Sequence, residues 1–206
     1  MANLLTAAGV HRVLTMDLHA QQVAGFFDIP VDHLFAAPVL IRHLRARFAD
    51  SPLTVVSPDV GGLKMASAYS QALGANLAIV AKRRKSATEI EALYVIGDVE
   101  GKDVLLVDDL TETAGTLTSA AIILKKHGAL RIFAGVSHAV LSDLALERLK
   151  SSQIEELITT NSVPVRSSED CRIRVLNIAE LLGEGIKRIH NDESVSSLFQ
   201  INDPKN

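Results

Sequence analysis

Short apolar runs rich in β-branched residues alternate with amphipathic stretches along this chain. Each run predicts a strand that is buried on both faces, since it lacks the apolar and polar alternation of a half-exposed strand. These runs occupy residues 12–16, 53–57, 77–81, 103–107, 131–136 and 155–160. The stretches between them predict helices at residues 39–48, 64–73, 115–128 and 144–150, and the tail predicts one further strand and helix. This alternation indicates an α/β fold with a mostly parallel sheet and helices on both faces.

Composition narrows the class of partner. The chain has 206 residues, a formal charge of -3 and an isoelectric point near 6.2, so no basic field would attract nucleic acid or an anionic membrane. No apolar run reaches the roughly 20 residues that span a bilayer. Cys171 is the single cysteine, and residues 1–10 lack the pattern of a signal peptide. We therefore predict small molecules and further subunits as partners, no nucleic acid, no membrane and a cytoplasmic location.

The predicted strand at residues 103–107 leads into two adjacent acids, Asp108 and Asp109. Neighbouring carboxylates repel each other, so they are tolerated where hydroxyl donors or cations share them, and a sugar diol supplies such donors. The turn at residues 113–116 opens the next predicted helix, where backbone N–H groups bind phosphate well. Gly115 permits a close backbone approach. Diol and phosphate recognition a few residues apart indicate a sugar phosphate such as ribose 5-phosphate.

A structural role is the alternative for this segment, with acids that cap the helix and threonines that satisfy local backbone groups. The whole string resembles the phosphoribosyl-binding motif of the type I phosphoribosyltransferase fold, in which four apolar residues precede two acids and a loop rich in Thr and Gly. That resemblance implies a ribose-5-phosphate site made of Asp108, Asp109, Glu112, Thr113, Ala114, Gly115 and Thr116.

Residues 16–32, MDLHAQQVAGFFDIPVD, are similar to the signature of the ribose-phosphate pyrophosphokinases, also called phosphoribosyl pyrophosphate synthetases. The positions that fit are Asp17, Leu18, His19, Ala20, Gln22, Gly25, Phe26, Phe27, Pro30 and Asp32, whereas Val23 and Ala24 depart. Asp17 and His19 stand two apart after a predicted strand, so both can face one side of a cleft. The resemblance implies that they bind Mg²⁺, which prefers oxygen ligands and keeps several waters. For His19 alone, a structural histidine at a strand end is the alternative.

Four consecutive cations, Lys82, Arg83, Arg84 and Lys85, follow the predicted strand at residues 77–81. Such a run is usually a solvated surface. Cations at the attacking and leaving oxygens also supply much of the catalysis of polyphosphate transfer. In the family that the chain resembles, a flexible catalytic loop begins here, which implies a catalytic role for Lys82 and an assisting role for Arg84.

A fourth turn, at residues 57–62, follows another predicted strand and carries Asp59 and the pair Gly61 and Gly62. This motif is weak by itself. The same resemblance implies that Asp59 binds metal near the pyrophosphate, and the glycines permit close approach to a ligand.

The resemblance implies an enzyme that transfers pyrophosphate from ATP to the anomeric hydroxyl of ribose 5-phosphate, with Mg²⁺ as cofactor and a hexamer as the assembly. Two alternatives remain open. A phosphoribosyltransferase would explain the acid pair but neither DLHAQQ nor KRRK. The other is an inactive regulatory or scaffold subunit that associates with the synthetase.

Domain organisation is also implied by the resemblance, because the family has a substantial N-terminal region before the position of Met1. That region supplies much of the contact to adenine and the ATP phosphates. We predict that residues 1–34 are a remnant of an N-terminal domain, that residues 35–189 form a C-terminal phosphoribosyltransferase-like domain, and that residues 190–206 return toward the first. We therefore expect the isolated chain to bind ribose 5-phosphate better than ATP.

Overall fold

The computed structural model of the chain describes residues 1–84, 90–166 and 170–199. These residues form two compact units. The larger unit is Leu40–Leu176, and the smaller one joins Met1–Val39 to the described part of Asn177–Asn206. The division at residues 34 and 189 stays a prediction.

The strands are β1 (Val13–Met16), β2 (Val31–Leu34), β3 (Leu53–Ser57), β4 (Asn76–Arg84), β5 (Ile90–Ile96), β6 (Asp103–Thr111), β7 (Arg131–Ala139), β8 (Glu156–Thr160) and β9 (Ile173–Leu176). The α-helices are α1 (Ala2–Ala7), α2 (Ala37–Arg47), α3 (Leu63–Leu73), α4 (Gly115–Lys126), α5 (Asp143–Lys150) and α6 (Ala179–His190). Two short 3₁₀ helices cover Gln21–Phe26 and Ser196–Phe199.

The larger unit is built on a seven-stranded sheet in the order β5-β4-β3-β6-β7-β8-β9. All neighbours pair in parallel except β4 and β5, which form an antiparallel edge. The predicted α/β class with a mostly parallel sheet is confirmed. β3 is buried at every position, as a continuous apolar run requires when both faces of a sheet are covered. The core is continuous across the unit and includes Leu106, Leu117 and Ile132.

The direction in which the chain winds across the sheet reverses between β3 and β6, which are parallel neighbours. From β3 the chain crosses through α3 to β4 on one side, and from β6 it crosses through α4 to β7 on the other. Parallel crossovers are right-handed, so α3 belongs to one face of the sheet and α4 to the opposite face. Such a switch point leaves a crevice outside the carboxyl ends of the two strands, where ligands of open α/β sheets bind.

Several strands differ from the sequence-based prediction. β6 continues four residues beyond Val107 and takes both adjacent acids into the strand, because it keeps pairing with β7 up to Thr111. β4 likewise extends to Arg84 because β5 pairs with it. β5 and β2 were not predicted, since neither segment stands out as a separate apolar run between turns.

The smaller unit has a two-stranded parallel sheet of β1 and β2. α6 packs on this sheet at Gly185, where an added Cβ would lie 3.0 Å from a methyl carbon of Leu34. Phe35 and Phe199 meet edge to face, with ring centroids 5.1 Å apart. No helix in the described part of the chain is long and apolar enough to cross a membrane.

Candidate functional site

The turn after β3 lies at the switch point and carries Asp59. Oδ1 of Asp59 accepts a hydrogen bond from the N–H of Gly62 at 3.1 Å, and its backbone carbonyl accepts one from the hydroxyl of Ser57 at 2.6 Å. A Cβ at Gly62 would lie 2.8 Å from that hydroxyl, so glycine is required for this turn. The turn therefore fixes the Asp59 carboxylate at the start of α3.

Asp108 and Asp109 occupy the end of β6 at the same crevice. Burial, and after it the negative charges of Asp109 and Asp59, raise the pKa of Asp108 to about 7, while a hydrogen bond from the backbone N–H of Asp109 opposes the shift. That bond is 3.0 Å long and ends on Oδ1 of Asp108. The repulsion expected for adjacent carboxylates is thus present, and Asp59 contributes to it. A cation or a set of hydroxyl donors at this place would relieve it.

The loop at residues 112–116, which the sequence predicts to bind phosphate, follows β6 and leads into α4. Glu112 and Thr113 are exposed, whereas Ala114 is only 2% exposed. Ala114 has φ 54° and ψ 11°, a left-handed conformation that is unfavourable for a residue with a Cβ. No side chain caps the N-terminus of α4 within the described residues. The first N–H groups of a helix lack intrahelical partners, so this end of α4 can receive an anion.

The predicted catalytic cations lie on β4, next to the edge strand β5 of the same sheet. The backbone of Lys82, Arg83 and Arg84 belongs to β4, opposite Leu93, Ala92 and Ile90 of β5. A continuous strand through Arg84 corrects the prediction that a loop begins at Lys82. The side chains of Lys82 and Arg84 lie outside the described part of the chain, as does Lys85 altogether, so their roles stay predictions.

Two further predicted metal ligands belong to the smaller unit. Asp17 follows β1, is 7% exposed and has φ 40°. Its Oδ2 accepts a hydrogen bond from the N–H of Ala36 at 2.9 Å, just before α2 begins. His19 is exposed. The buried Asp17 carboxylate therefore orders the turn between β2 and α2, and metal binding by Asp17 and His19 stays a prediction.

Within residues 1–84, 90–166 and 170–199, no three His, Cys, Asp or Glu side chains form a ready-made metal cage. Mg²⁺ does not need one, because it is usually held through one or two carboxylates together with waters and substrate phosphates. The carboxylates of Asp59, Asp108 and Asp109 raise the negative charge of the crevice together. This donor set fits Mg²⁺ that arrives with a phosphate ligand.

Ser142, the N-cap of α5, and Arg148 in α5 also contact the loop, and the sequence alone did not indicate either of them. The backbone N–H and the hydroxyl of Ser142 donate to the carbonyl of Glu112 at 3.1 and 3.0 Å. Nη1 of Arg148 donates to the carbonyl of Thr113 at 3.1 Å. Both contacts span more than 25 residues, so no local motif indicates them. They could have been predicted only from the placement of α4 and α5 on one face of the sheet.

Comparisons with known proteins identify the family of the chain. Residues 65–200 match the family described as phosphoribosyl synthetase-associated domain. A ribose-phosphate pyrophosphokinase of Chlorobaculum tepidum is 49% identical over 199 residues, which cover 97% of this chain and 62% of that protein. One from Chromobacterium violaceum is 49% identical over 201 residues, 97% of this chain and 61% of its own length.

A solved structure is also similar to the whole of this fold. The phosphoribosylpyrophosphate synthetase of Mycobacterium smegmatis aligns with a TM-score of 0.83 and 38% identity, over 93% of this chain and 62% of that one. The chain thus spans about three fifths of the length of the relatives it matches. The matched residues 65–200 include the acids of β6, the loop before α4 and both contacts from α5. The chain belongs to the phosphoribosyl synthetase-associated domain family.

Proposed function

We propose that this chain forms the ribose-5-phosphate site of a ribose-phosphate diphosphokinase, which transfers pyrophosphate from ATP to the anomeric hydroxyl and yields phosphoribosyl pyrophosphate and AMP. The observation that carries the proposal is the pairing, at one switch point, of the crowded carboxylates of β6 with the uncapped N-terminus of α4. The names of the relatives support the same reaction.

Asp108 and Asp109 bind the ribose hydroxyls in this proposal, because hydroxyl donors relieve the repulsion between the two carboxylates. The 5-phosphate lies at residues 112–116, where the backbone N–H groups of the loop and the positive end of the α4 dipole attract it.

Asp59 would hold Mg²⁺, which would neutralise the phosphates of ATP, and Asp17 and His19 of the smaller unit are the further residues proposed as ligands. Lys82 stabilises the charge that develops on the transferred group, and Arg84 assists it. The partners are accordingly ribose 5-phosphate, ATP and further copies of the chain in a hexamer, in the cytoplasm.

The test follows the products. We expect AMP to appear when a full-length version of the enzyme is incubated with ATP, Mg²⁺ and ribose 5-phosphate, and ribose 5-phosphate to bind the isolated chain more tightly than an ATP analogue in calorimetry. Pyrophosphate released from phosphoribosyl pyrophosphate, without AMP formation, would indicate a phosphoribosyltransferase. Binding of ribose 5-phosphate with neither product would indicate a regulatory or scaffold subunit.

The role of Lys82 has its own readout. Lys82→Ala should lower turnover by a factor of 100 or more, on the order of what one transition-state contact contributes, and leave the dissociation constant of ribose 5-phosphate unchanged. Asp109→Asn is the matched comparison, because it should weaken sugar binding first. Equal losses of turnover and binding in Lys82→Ala would contradict a role limited to the transition state.

A further inference from the structure

Helix α5 holds the loop before α4 at two successive carbonyl groups. Ser142 donates to the carbonyl of Glu112 from its backbone N–H at 3.1 Å and from its hydroxyl at 3.0 Å. Arg148, six residues further along, donates from Nη1 to the carbonyl of Thr113 at 3.1 Å. Two neighbouring peptide units of the loop are therefore oriented by one helix that lies outside the loop.

The geometry of the peptide unit determines where the N–H groups next to these two carbonyls point. The peptide unit is planar and trans, so the N–H group that follows a carbonyl points the opposite way. With the carbonyls of Glu112 and Thr113 directed at α5, the N–H groups of Thr113 and Ala114 are directed away from it. Among the described residues, neither of these N–H groups has a protein acceptor. They are available to an anion on the side of the loop that faces away from α5.

The guanidinium of Arg148 is also packed against the loop. A Cβ added at Gly115 would lie 2.9 Å from Nη1 of Arg148, so the side chain occupies the space that any other residue would need. Ala114 follows the carbonyls of Glu112 and Thr113 and precedes Gly115. It keeps a left-handed conformation that is unfavourable for alanine. Such a conformation persists where the surroundings enforce it, and α5 supplies those surroundings.

Ser142 links the loop to the start of α5. Its hydroxyl oxygen accepts a hydrogen bond from the N–H of Ala145 at 3.3 Å while donating to Glu112, so it is both the N-cap of α5 and an anchor of the loop. Arg148 lies in the last turn of the same helix, where a cation is favoured by the helix dipole. The two anchors thus come from the two ends of one short helix.

We propose that Arg148 is a positioning residue of the phosphate loop, which acts with Ser142 to direct the N–H groups of Thr113 and Ala114 toward the 5-phosphate. The proposal rests on the proposed function for the identity of the ligand. The orientation of the loop by α5 is independent of it, because that orientation exists without ligand.

The experiment compares Arg148→Met, which keeps the aliphatic stem, with Lys150→Met, which removes a cation from the same helix without a contact to the loop. Lys150 pairs instead with Asp170. Backbone ¹⁵N order parameters of residues 113–116 should fall from about 0.85 to below about 0.6 in Arg148→Met alone. The dissociation constant of ribose 5-phosphate should rise about tenfold in Arg148→Met and stay unchanged in Lys150→Met.

A conservative variant separates positioning from general stability. Arg148→Lys keeps the charge and one donor, so it should bind ribose 5-phosphate more tightly than Arg148→Met at the same thermal midpoint. Unchanged order parameters, or an unchanged dissociation constant, in Arg148→Met would overturn the proposal. Failure of the unmodified chain to bind the sugar phosphate would overturn the proposed function instead, while the order parameters would still decide whether Arg148 orients the loop.

Gly115 provides a second, independent arm. Gly115→Ala should displace the Arg148 guanidinium and weaken ribose-5-phosphate binding, whereas in an Arg148→Met background the new methyl meets a side chain that is already released. The loss in the double variant should therefore be smaller than the product of the two single losses. Independent effects would mean that Arg148 does not act through this contact.

Discussion

Strand β6 carries acids at both ends, and Asp103 at its start and Asp108 near its finish have opposite surroundings. Asp103, at the start of the strand, is 1% exposed and accepts hydrogen bonds from Nε and Nη2 of Arg131, with Nε to Oδ1 at 2.9 Å. These hydrogen bonds lower its pKa against the effect of burial. Asp108, near the other end, faces further carboxylates, and burial together with their charge raises its pKa to about 7.

The difference shows what distinguishes a structural acid from an acid kept for a ligand. At the amino end of the sheet, the fold supplies the partner itself, since Arg131 stands opposite Asp103 in the register of β6 and β7. At the carboxyl end, Asp59, Asp108 and Asp109 are brought together and their repulsion is left in place. Perturbed carboxylates in a crevice are typical of functional sites, because the missing partner is the substrate or its metal.

The largest expected effect concerns the amino end of β6, where Asp103 pairs with Arg131. Arg131→Met leaves Asp103 buried without its partner and should lower the free energy of unfolding by about 3 kcal/mol. Urea denaturation at pH 7 measures it. The control is Lys150→Met, which opens a pair whose side chains are 59% and 58% exposed and should leave stability nearly unchanged. Equal losses in both variants would remove the contrast between a buried and an exposed pair.

The second prediction concerns the carboxyl end of β6, where loss of the acid should stabilise the chain. Asp108 has a raised pKa in the folded chain, so the folded state binds more protons than the unfolded state between about pH 4 and pH 7. Stability therefore falls as the pH rises through that window and stays lower above about pH 7. Asp108→Asn removes the charge and should stabilise the chain by about 2 kcal/mol at pH 8, less than full linkage because the side chain is partly exposed.

Denaturation curves of Asp108→Asn and the unmodified chain at pH 8 and pH 4 check this sign. The gap should close near pH 4, where both folded chains carry a neutral group at this position. Asp108→Asn should also lose affinity for ribose 5-phosphate, which makes it a variant that gains stability and loses binding. A gap of the same size at both pH values would mean that the charge of Asp108 is not its origin.

The sequence indicated the arrangement at the carboxyl end of β6 better than the pair at its amino end. The β6 acids and the loop are contiguous in the chain, so their pattern was visible, and the bounds of β3 at Leu53–Ser57 agree with its apolar run. The pair of Asp103 and Arg131 depends on the register of two strands 28 residues apart. Register follows from packing across the sheet, so no local pattern could have indicated this pair.

Tertiary pairing also explains the errors in the cationic segment. The loop at Lys82 was expected from the family resemblance, after an apolar run that ends at Ala81. Pairing with the edge strand β5 instead continues β4 through Arg84. Arg148 was missed for the related reason that its contact with Thr113 joins residues 35 apart.

The third prediction adds the ligand to the comparison. Ribose 5-phosphate at ten times its dissociation constant should stabilise the chain by about 1.4 kcal/mol, since it binds only the folded state. Arg131→Met should retain this increment on a lower baseline, because Asp103 is remote from the crevice along β6. At the same concentration Asp108→Asn should gain much less. A lost increment in Arg131→Met, with the fold intact by circular dichroism, would show that the two ends are not independent.

The smallest expected effect concerns the turn that places Asp59. Gly62→Ala puts a methyl 2.8 Å from the hydroxyl of Ser57, a fully buried side chain that holds the Asp59 carbonyl. The hydroxyl must move, so the variant should lose about 1 kcal/mol in urea denaturation. In a Ser57→Ala background the contact is gone and the same substitution should change stability little. Because Asp59 adds to the charge that raises the pKa of Asp108, Gly62→Ala should also reduce the pH dependence between pH 4 and pH 7, whereas a turn held by other contacts would lose stability in both backgrounds and leave that dependence intact.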